Sequence, residues 1–599
     1  MATEPTYEFP LQTNSYAAFD AISLRNLIIQ RLNDQGILTD QNYIGSNIAS
    51  IIDIISFSFN TLIYYLNKTS TESMFTEAQL YENISRIVKL LDYKPIGYQT
   101  STLSFQCTAV AGIFESRAYT IPRYSYITVG GIPFSFNEDI TFTVPYSNRV
   151  IALDDISNRK LLFQGMFREA PLYTAAGDAS EVVTIAVSNV LIDHFNIDVY
   201  VYEKKTSTWV QYKNVPNFYS EQSYSRTFEK KINSNFLYEI VFGDGINGRK
   251  LEAGDIVSVY FLQSSGEQGI IGPGALRLNS VPILYYNRTY ANILNDVIPE
   301  TQQNSVTPSQ FRNIIFNNVV GSTTPKDIED ADSIRRNAPY VFKSQYRLVT
   351  QSDYESYIKT NFAHFITDVK VFTNWDYTGK YLKYFHDINV NPGGFKQVLF
   401  NQIQYADSCN FNNIYVCAVP KVSKGSSLKY LLPAQKETIA SNMQSVKMLT
   451  TEVSFMDQIF KAISFGIKNG DAINIDAVDY FQLQLFKTIN SNRSPNSIKQ
   501  EAAAVIREFF NPTKMTLGIV FDYSALTNQL LSINGVDQLR TSRSDTEEYF
   551  NGLSFFMWNP SYPDLDKQTI VNNITLKEFE LLYFNNLSTI DSRITVVEQ

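Results

Sequence analysis

Residues 45–95, GSNIASIIDIISFSFNTLIYYLNKTSTESMFTEAQLYENISRIVKLLDYKP, constrain the fold more than any other stretch. Ile48, Ile51, Ile52, Ile55, Phe59, Leu62, Ile63 and Leu66 recur at steps of three and four. That spacing puts one wide apolar stripe on a helix of about six turns. A second helix is expected from Thr76, with its hydroxyl as cap and Gln79 reaching back as the box partner. Its apolar positions are Ala78, Tyr81, Ile84, Ile87, Val88 and Leu91, and Pro95 stops it. No domain precedes this pair, so the stripe must pack on later parts of the chain or on other chains.

The stripe is long enough to raise the question of a membrane span. Asp53 sits inside it, among Ser46, Asn47, Ser50, Ser56, Ser58 and Asn60. A central Asp opposes insertion by about 2–3 kcal/mol, so a packing helix without membrane insertion is expected. The first residues, MATEPTYEFPLQ, lack the basic and apolar regions of a signal peptide. The net charge of −9, with Lys and Arg only in short runs, argues against nucleic acid, because neutralising phosphates needs clustered cations. The 38 Tyr and 41 Phe fit interfaces, where a ring is buried at one end and wet at the other. They fit β-rich domains equally well.

The chain has 599 residues, room for several cores. A short helix is expected before the stripe, on Phe19, Ile22, Leu24, Leu27, Ile28 and Leu32 up to Gly36. After Pro95 the pattern turns to strands: 125–136, 139–146, 182–192, 195–204 and 238–269 alternate or run short and apolar between turn residues. Residues 270–305 read as a connector rich in Pro and Asn. Thr324 is expected to cap a helix that carries Ile328, Ala331 and Ile334 and stops before Pro339. Thr350 opens another, with Asp353 facing the cap and Tyr354, Tyr357 and Ile358 on its apolar side. A strand at 366–372 and a polar insertion at 374–410 follow. Then come a strand at 412–420, a helix at 433–448, a long strand region at 452–467, a helix at 497–510 and a helix near 523–531. Short strands around Asn534-Gly535 and Asn551-Gly552 complete the chain.

Groups that would carry chemistry are sparse. Gly243-Asp244-Gly245 with Gly248 offers a carboxylate between strands, but Asp-Gly first supplies the positive φ of a tight hairpin. No Gly-Lys-Ser/Thr follows to make a phosphate loop. The three histidines, His194, His364 and His386, stand apart, and HExxH and GxSxG are absent. Cys107, Cys409 and Cys417 are odd in number and without C-x-x-C spacing, so buried free thiols in a reducing compartment are expected rather than a disulfide framework or a zinc site. No catalytic, cofactor or metal residues are assigned, and a non-enzyme is expected. The abundance of acids leaves a two-carboxylate glycosidase formally open.

Three segments together resemble the baseplate J-like family, and within it the baseplate wedge subunits of contractile tails. They are 72–95 (ESMFTEAQLYENISRIVKLLDYKP), 242–269 (FGDGINGRKLEAGDIVSVYFLQSSGEQG) and 329–358 (EDADSIRRNAPYVFKSQYRLVTQSDYESYI). In the last, Ala338-Pro339, Arg347, Val349-Thr350 and Asp353-Tyr354 follow the family's pattern. NIYVCAVPK ahead of a Leu-Pro helix and LLSINGVDQL at 530–539 also resemble it. The likeness spans most of the chain in order and is weakest over 1–40, 275–305, 374–410 and the last fifty or so residues.

The resemblance implies a structural subunit of a contractile phage tail baseplate in the virion, assembled in the host cytoplasm. Two copies would join one copy of a second, different wedge protein through a helical bundle. The wedges would then close into a ring around the hub, in contact with other wedge, sheath-initiator and hub-proximal proteins, and rearrange to trigger sheath contraction. The bundle stripe would be Ile48 to Leu66, and ring contacts would lie after about residue 411. A non-viral contractile injection system or a tail-associated glycan-binding or glycan-cleaving protein are the other readings. The expected architecture is multidomain α+β: a helical region at 1–96, a β-rich domain at 97–300, a helical or α+β connector domain at 301–410, an α+β domain at 411–522 and a β-rich region at 523–599.

Overall fold

The computed structural model describes residues 21–35, 46–390, 412–421 and 430–598, apart from positions 92, 147–148, 188–189, 220, 234, 346, 469–472, 489–491 and 512–513. Phe19, Gly36, Gly45, Cys409 and the polar insertion from 391 onward lie outside the described residues. The architecture is multidomain α+β, and the chain divides into two compact units: 1–94 with 330–339, and 95–329 with 340–599.

In the first unit the apolar periodicity forms α1 (Ala21–Gln35), α2 (Asn47–Glu72) and α3 (Tyr81–Val88). Ser46 caps α2, its hydroxyl accepting from the N–H of Ile48 at 3.2 Å. The second helix does not start at Thr76: residues 73–77 turn, and Leu80 stands at the N-cap with no side-chain bond of its own. The carboxylate of Glu72, the last residue of α2, takes the capping role. It accepts from the N–H groups of Gln79 and Leu80 and from the Asn83 amide, at 3.3, 3.1 and 3.0 Å. These bonds hold its pKa below the ordinary carboxylate value, the Asn83 bond most of all. Helix α4 (Ala331–Ser344) also departs from expectation. Residues 323–329 spend their amides on the chain at 96–102, through Thr323 to Thr102, Lys326 to Gln99 and Glu329 to Ile96. They therefore cannot coil behind Thr324. Asp330 caps the helix instead, accepting from the Ser333 N–H at 2.8 Å. The helix runs through Pro339 rather than stopping before it. Burial of Ile334 and Ala338 offsets the roughly 3 kcal/mol that an interior proline costs.

The second unit begins with antiparallel sheets. Tyr126–Val129 and Ile132–Ser135 form a two-residue hairpin in which Gly130 and Gly131 both take positive φ, 57° and 86°, as the right-handed strand twist demands. Their sheet runs from Thr102–Ser104 to Ser280–Ile283 and encloses a core around Phe105, Phe134, Phe136 and Phe142. A larger sheet is built on the 13-residue strand Leu191–Glu203, paired with Thr208–Asn214 on one side and Ile256–Ser264 on the other. His194 lies within that strand, not between strands. Residues 270–305 are no bare connector: they contain Ala275–Asn279, Ser280–Ile283, Arg288–Val297 and Pro299–Asn304.

Beyond α5 (Gln351–Asn361), the strands Ile366–Thr373, Asn413–Pro420 and Glu452–Met456 form a three-stranded sheet, packed with α5 and α6 (Pro433–Met443) around Tyr354, Ile358, Ile439 and Met443. The region expected as one long strand breaks at Asp457-Gln458 into Glu452–Met456 and Ile459–Phe465. Ile459–Phe465 pairs with Phe555–Trp558 and Glu580–Phe584, and Phe481–Lys487 with Val536–Arg543 and Ile594–Glu598. One core therefore draws on both sides of residue 523, and no domain boundary falls there. Helices α7 (Pro495–Phe509) and α8 (Tyr523–Leu531) pack into that core through Ile498, Ile506, Leu526 and Leu530.

Candidate interaction surface

At about 100° per residue, Ile51, Ile55, Phe59, Leu62 and Leu66 share an arc of about 80° on α2. Every one is exposed, from 42% at Phe59 to 66% at Leu62. The residues of α2 that are buried, Ala49, Ile52 and Ser56, occupy an adjoining arc of about 60°. Helix α1 packs on α2, and its Arg25 forms an ion pair with Asp53, one step farther round. The first unit thus covers the small-residue shoulder of the stripe. Of the eight stripe positions only Ile52 is buried, Ile48 and Ile63 are half-buried, and the other five face out. Helix α3 does not close the stripe: its Ile84 and Val88 are buried, while the α2 arc stays open.

Two further features suit this face to a dry contact. Residues 54–67 carry no charge, so nothing on them demands an ionic partner. The hydroxyls of Thr61 and Thr69 bond back to the carbonyls of Phe57 and Tyr65 at 2.9 and 2.7 Å and need no outside acceptor. On the far side of the helix Ile54, Phe57, Tyr64 and Tyr65 are also exposed. Among the described residues α2 is the one helix long and apolar enough to cross a membrane by length and composition.

The remaining motif residues serve local structure. Asp244 Oδ1 accepts from the N–H groups of Ile246 and Asn247 at 2.8 and 2.6 Å, and Gly245 takes φ 90°. Gly243 leaves no room for a side chain, since a Cβ would stand 2.3 Å from the Gly248 carbonyl carbon. The loop is not a hairpin: Tyr238–Phe242 pairs with Val182–Thr184 and Thr227–Ile232, not with the strand after the loop. Thr350 and Asp353 form the capping box of α5, Tyr354 is buried in the core below, and Arg347 is exposed. Pro339 lies inside α4.

His194 and His364 are buried, and each bonds through Nδ1 to the segment at 97–99. His194 Nδ1 accepts from the Gly97 N–H at 3.1 Å, and His364 Nδ1 meets Gln99 Oε1 at 3.0 Å. Burial lowers both pKa values, that of His364 to about 3. Cys107 and Cys417 are buried free thiols, and burial raises the pKa of both. Among the described residues no three His, Cys, Asp or Glu side chains group as a metal site would require. Sequence reasoning missed the Glu72 cap and the Arg25–Asp53 pair. A carboxylate seven or eight residues before the amides it caps has no short-range signature, and a pair 28 residues apart has none either.

No protein-family model matches the chain. Over 366 residues, 59% of its length, it is 23% identical to the curated baseplate wedge protein gp6 of Enterobacteria phage T4. The match spans about half, 51%, of that relative's length. In three dimensions the chain aligns over 94% of its length with 90% of a chain in the cryo-EM structure of the anti-feeding prophage (AFP) baseplate, 6-fold symmetrised. The identity there is 11% and the TM-score 0.30, too low to speak for a shared fold. The resemblance to baseplate wedge proteins read from the sequence is thus met by a named wedge protein among its relatives.

Proposed function

We propose that the chain is a non-enzymatic structural subunit of a contractile-tail baseplate, built into the wedge. The open arc of α2 is its permanent seam, where it meets a second copy of itself and one copy of a different wedge protein. The carrying observation is the exposure of Ile51, Ile55, Phe59, Leu62 and Leu66 in one arc of a helix whose residues 54–67 carry no charge, in a chain similar to a baseplate wedge protein. Burying a large apolar side chain fully is worth about 1.5–3 kcal/mol. Five that are roughly half exposed therefore leave several kcal/mol available to association. Contiguous apolar surface of this kind marks contact sites. The region after residue 411 would supply contacts between wedges in the ring, and other wedge, sheath-initiator and hub-proximal proteins would be its further neighbours in the virion, after assembly in the host cytoplasm.

The test is an Ile55→Asp/Phe59→Asp variant of the full chain, co-expressed with the other baseplate proteins of its particle. The variant should keep the circular dichroism and melting profile of the native chain and fail to enter wedge assemblies on a sizing column. Unfolding of the isolated variant would put the stripe inside the chain, and normal assembly would put the seam elsewhere.

A further inference from the structure

Residues 374–387 form one helical segment: Asn374–Asp376, a π-helical stretch Tyr377–Leu382, then Lys383–Asp387. Its aromatic residues Tyr377, Tyr381 and Phe385 recur every four positions. In a straight α-helix such a row drifts about 40° per step, whereas the wider π turn keeps neighbouring rings together, with centroids 5.5 and 5.2 Å apart. The three rings meet aromatic residues farther along the chain: Tyr377 and Tyr415 at 3.9 Å, Tyr381 and Phe579 at 5.3 Å, and Phe385 and Tyr562 at 6.1 Å. Tyr377, Tyr381 and Phe385 are half-buried, as are Tyr415 and Tyr562, while Phe579 belongs to the core; the Lys380–Glu578 pair alongside is exposed on both partners.

Tyr384 is different. It is 2% exposed, and its hydroxyl donates to Asp566 and accepts from the Asn559 amide. Two ammonium groups stand over its ring, Lys577 at 4.6 Å and Lys461 at 5.2 Å, each in range for a cation–π contact. Lys461 is itself buried and pairs with both Asp566 and Glu580. Every member of this cluster except Tyr384 belongs to the strands and loops from 461 to 580. Lys461 keeps both of its carboxylate partners without the tyrosine.

We propose that the 374–387 segment is a strap latched to the C-terminal core by Tyr384, which lifts as a unit while the sheets beneath stay folded. Breaking up a buried ion cluster strands a charge and is prohibitive. Withdrawing Tyr384 strands none: it gives up one buried ring and two hydrogen bonds, one of them from the Asn559 amide. Among the segment's larger side chains only Leu382 and Tyr384 are buried; the rest hold it through half-buried rings, the exposed Lys380–Glu578 pair and one hydroxyl bond from Tyr381 to the Asp457 carbonyl at 2.8 Å. Segments of this kind open far below the global unfolding free energy.

Hydrogen exchange followed by mass spectrometry on the full native chain tests this. The amides of 374–387 should exchange at least tenfold faster than those of Ile459–Phe465, Phe555–Trp558 and Glu580–Phe584. Tyr384→Phe, which keeps the ring and removes the hydroxyl, should speed the segment by a further fivefold or more and leave the three strands unchanged. Equal rates for segment and strands in the native chain would overturn the proposal, because the segment would then open only with the core. An unchanged segment in the variant would also overturn it, as would strands that speed up with it.

Discussion

The guanidinium of Arg25 on α1 meets the carboxylate of Asp53 on α2 at 2.5 Å, on the flank of the helix next to its buried arc. Both side chains are well exposed, so the pair contributes little to stability, roughly 0–1 kcal/mol. Its weight lies in what it forbids. A helix tied through its acidic residue to a second, charged helix does not enter a bilayer without dragging both charges along.

In liposome flotation the native chain should therefore stay in the dense fractions. An Arg25→Leu/Asp53→Leu variant, in which α2 is uncharged from its cap to Lys68, should move partly to the vesicle fractions. Flotation of the native chain at neutral pH would contradict the packing role of α2.

Glu72 ties the end of α2 to the start of α3, and Glu72→Ala should fray α3 first. Amide exchange at 81–84 should rise while α2 stays protected. The folded-state pKa is depressed, so the contribution of Glu72 is present above the unfolded carboxylate value near 4.5. It is lost as pH falls through the lower folded value. The native chain at low pH should then reproduce the exchange pattern of the variant.

Gly97 has no room for a methyl group: a Cβ there would stand 2.0 Å from the Tyr238 hydroxyl oxygen and 3.2 Å from His194 Nδ1. Gly97→Ala should lower stability by about 1–3 kcal/mol through this overlap. Adding Tyr238→Phe should recover part of the loss, a positive coupling readable in a thermal double-mutant cycle.

His364 is buried and neutral, its pKa lowered to about 3 by burial first and then by the nearby Lys421 and Lys326 charges. The unfolded chain binds this proton below about pH 6.5 and the folded chain does not, so stability falls as pH drops from about 6.5 toward 3. The slope is up to about 1.4 kcal/mol per pH unit for this one group. His194 adds in the same direction, because its Nδ1 must stay unprotonated to accept from Gly97. Urea unfolding between pH 7 and 5 should show a shallower loss for His364→Asn than for the native chain.

Features decided within a few neighbouring residues were legible in advance. The 3.6-residue rhythm gave away α2, the Thr350–Asp353 box marked the start of α5, and the helix at Tyr523–Leu531 appears with its expected bounds. Thr324 carried an equally good local signal and lost it. Its neighbours at 323–329 found backbone partners at 96–102, more than two hundred residues away, and a backbone amide can be spent only once. The same holds for the sheets that cross residue 523, which pair strands far apart in the chain.

For the candidate surface the division is just as clear. The sequence by itself determined that α2 carries an apolar stripe and which eight residues form it, because side-chain direction on a helix follows from spacing alone. Only the tertiary structure decided which part of the stripe is spoken for. Ala49, Ile52 and Ser56 are buried and α1 pairs with Asp53 beside them, while Ile51, Ile55, Phe59, Leu62 and Leu66 stay open. Packing against a distant element depends on where the chain brings that element, and periodicity within one helix does not encode it.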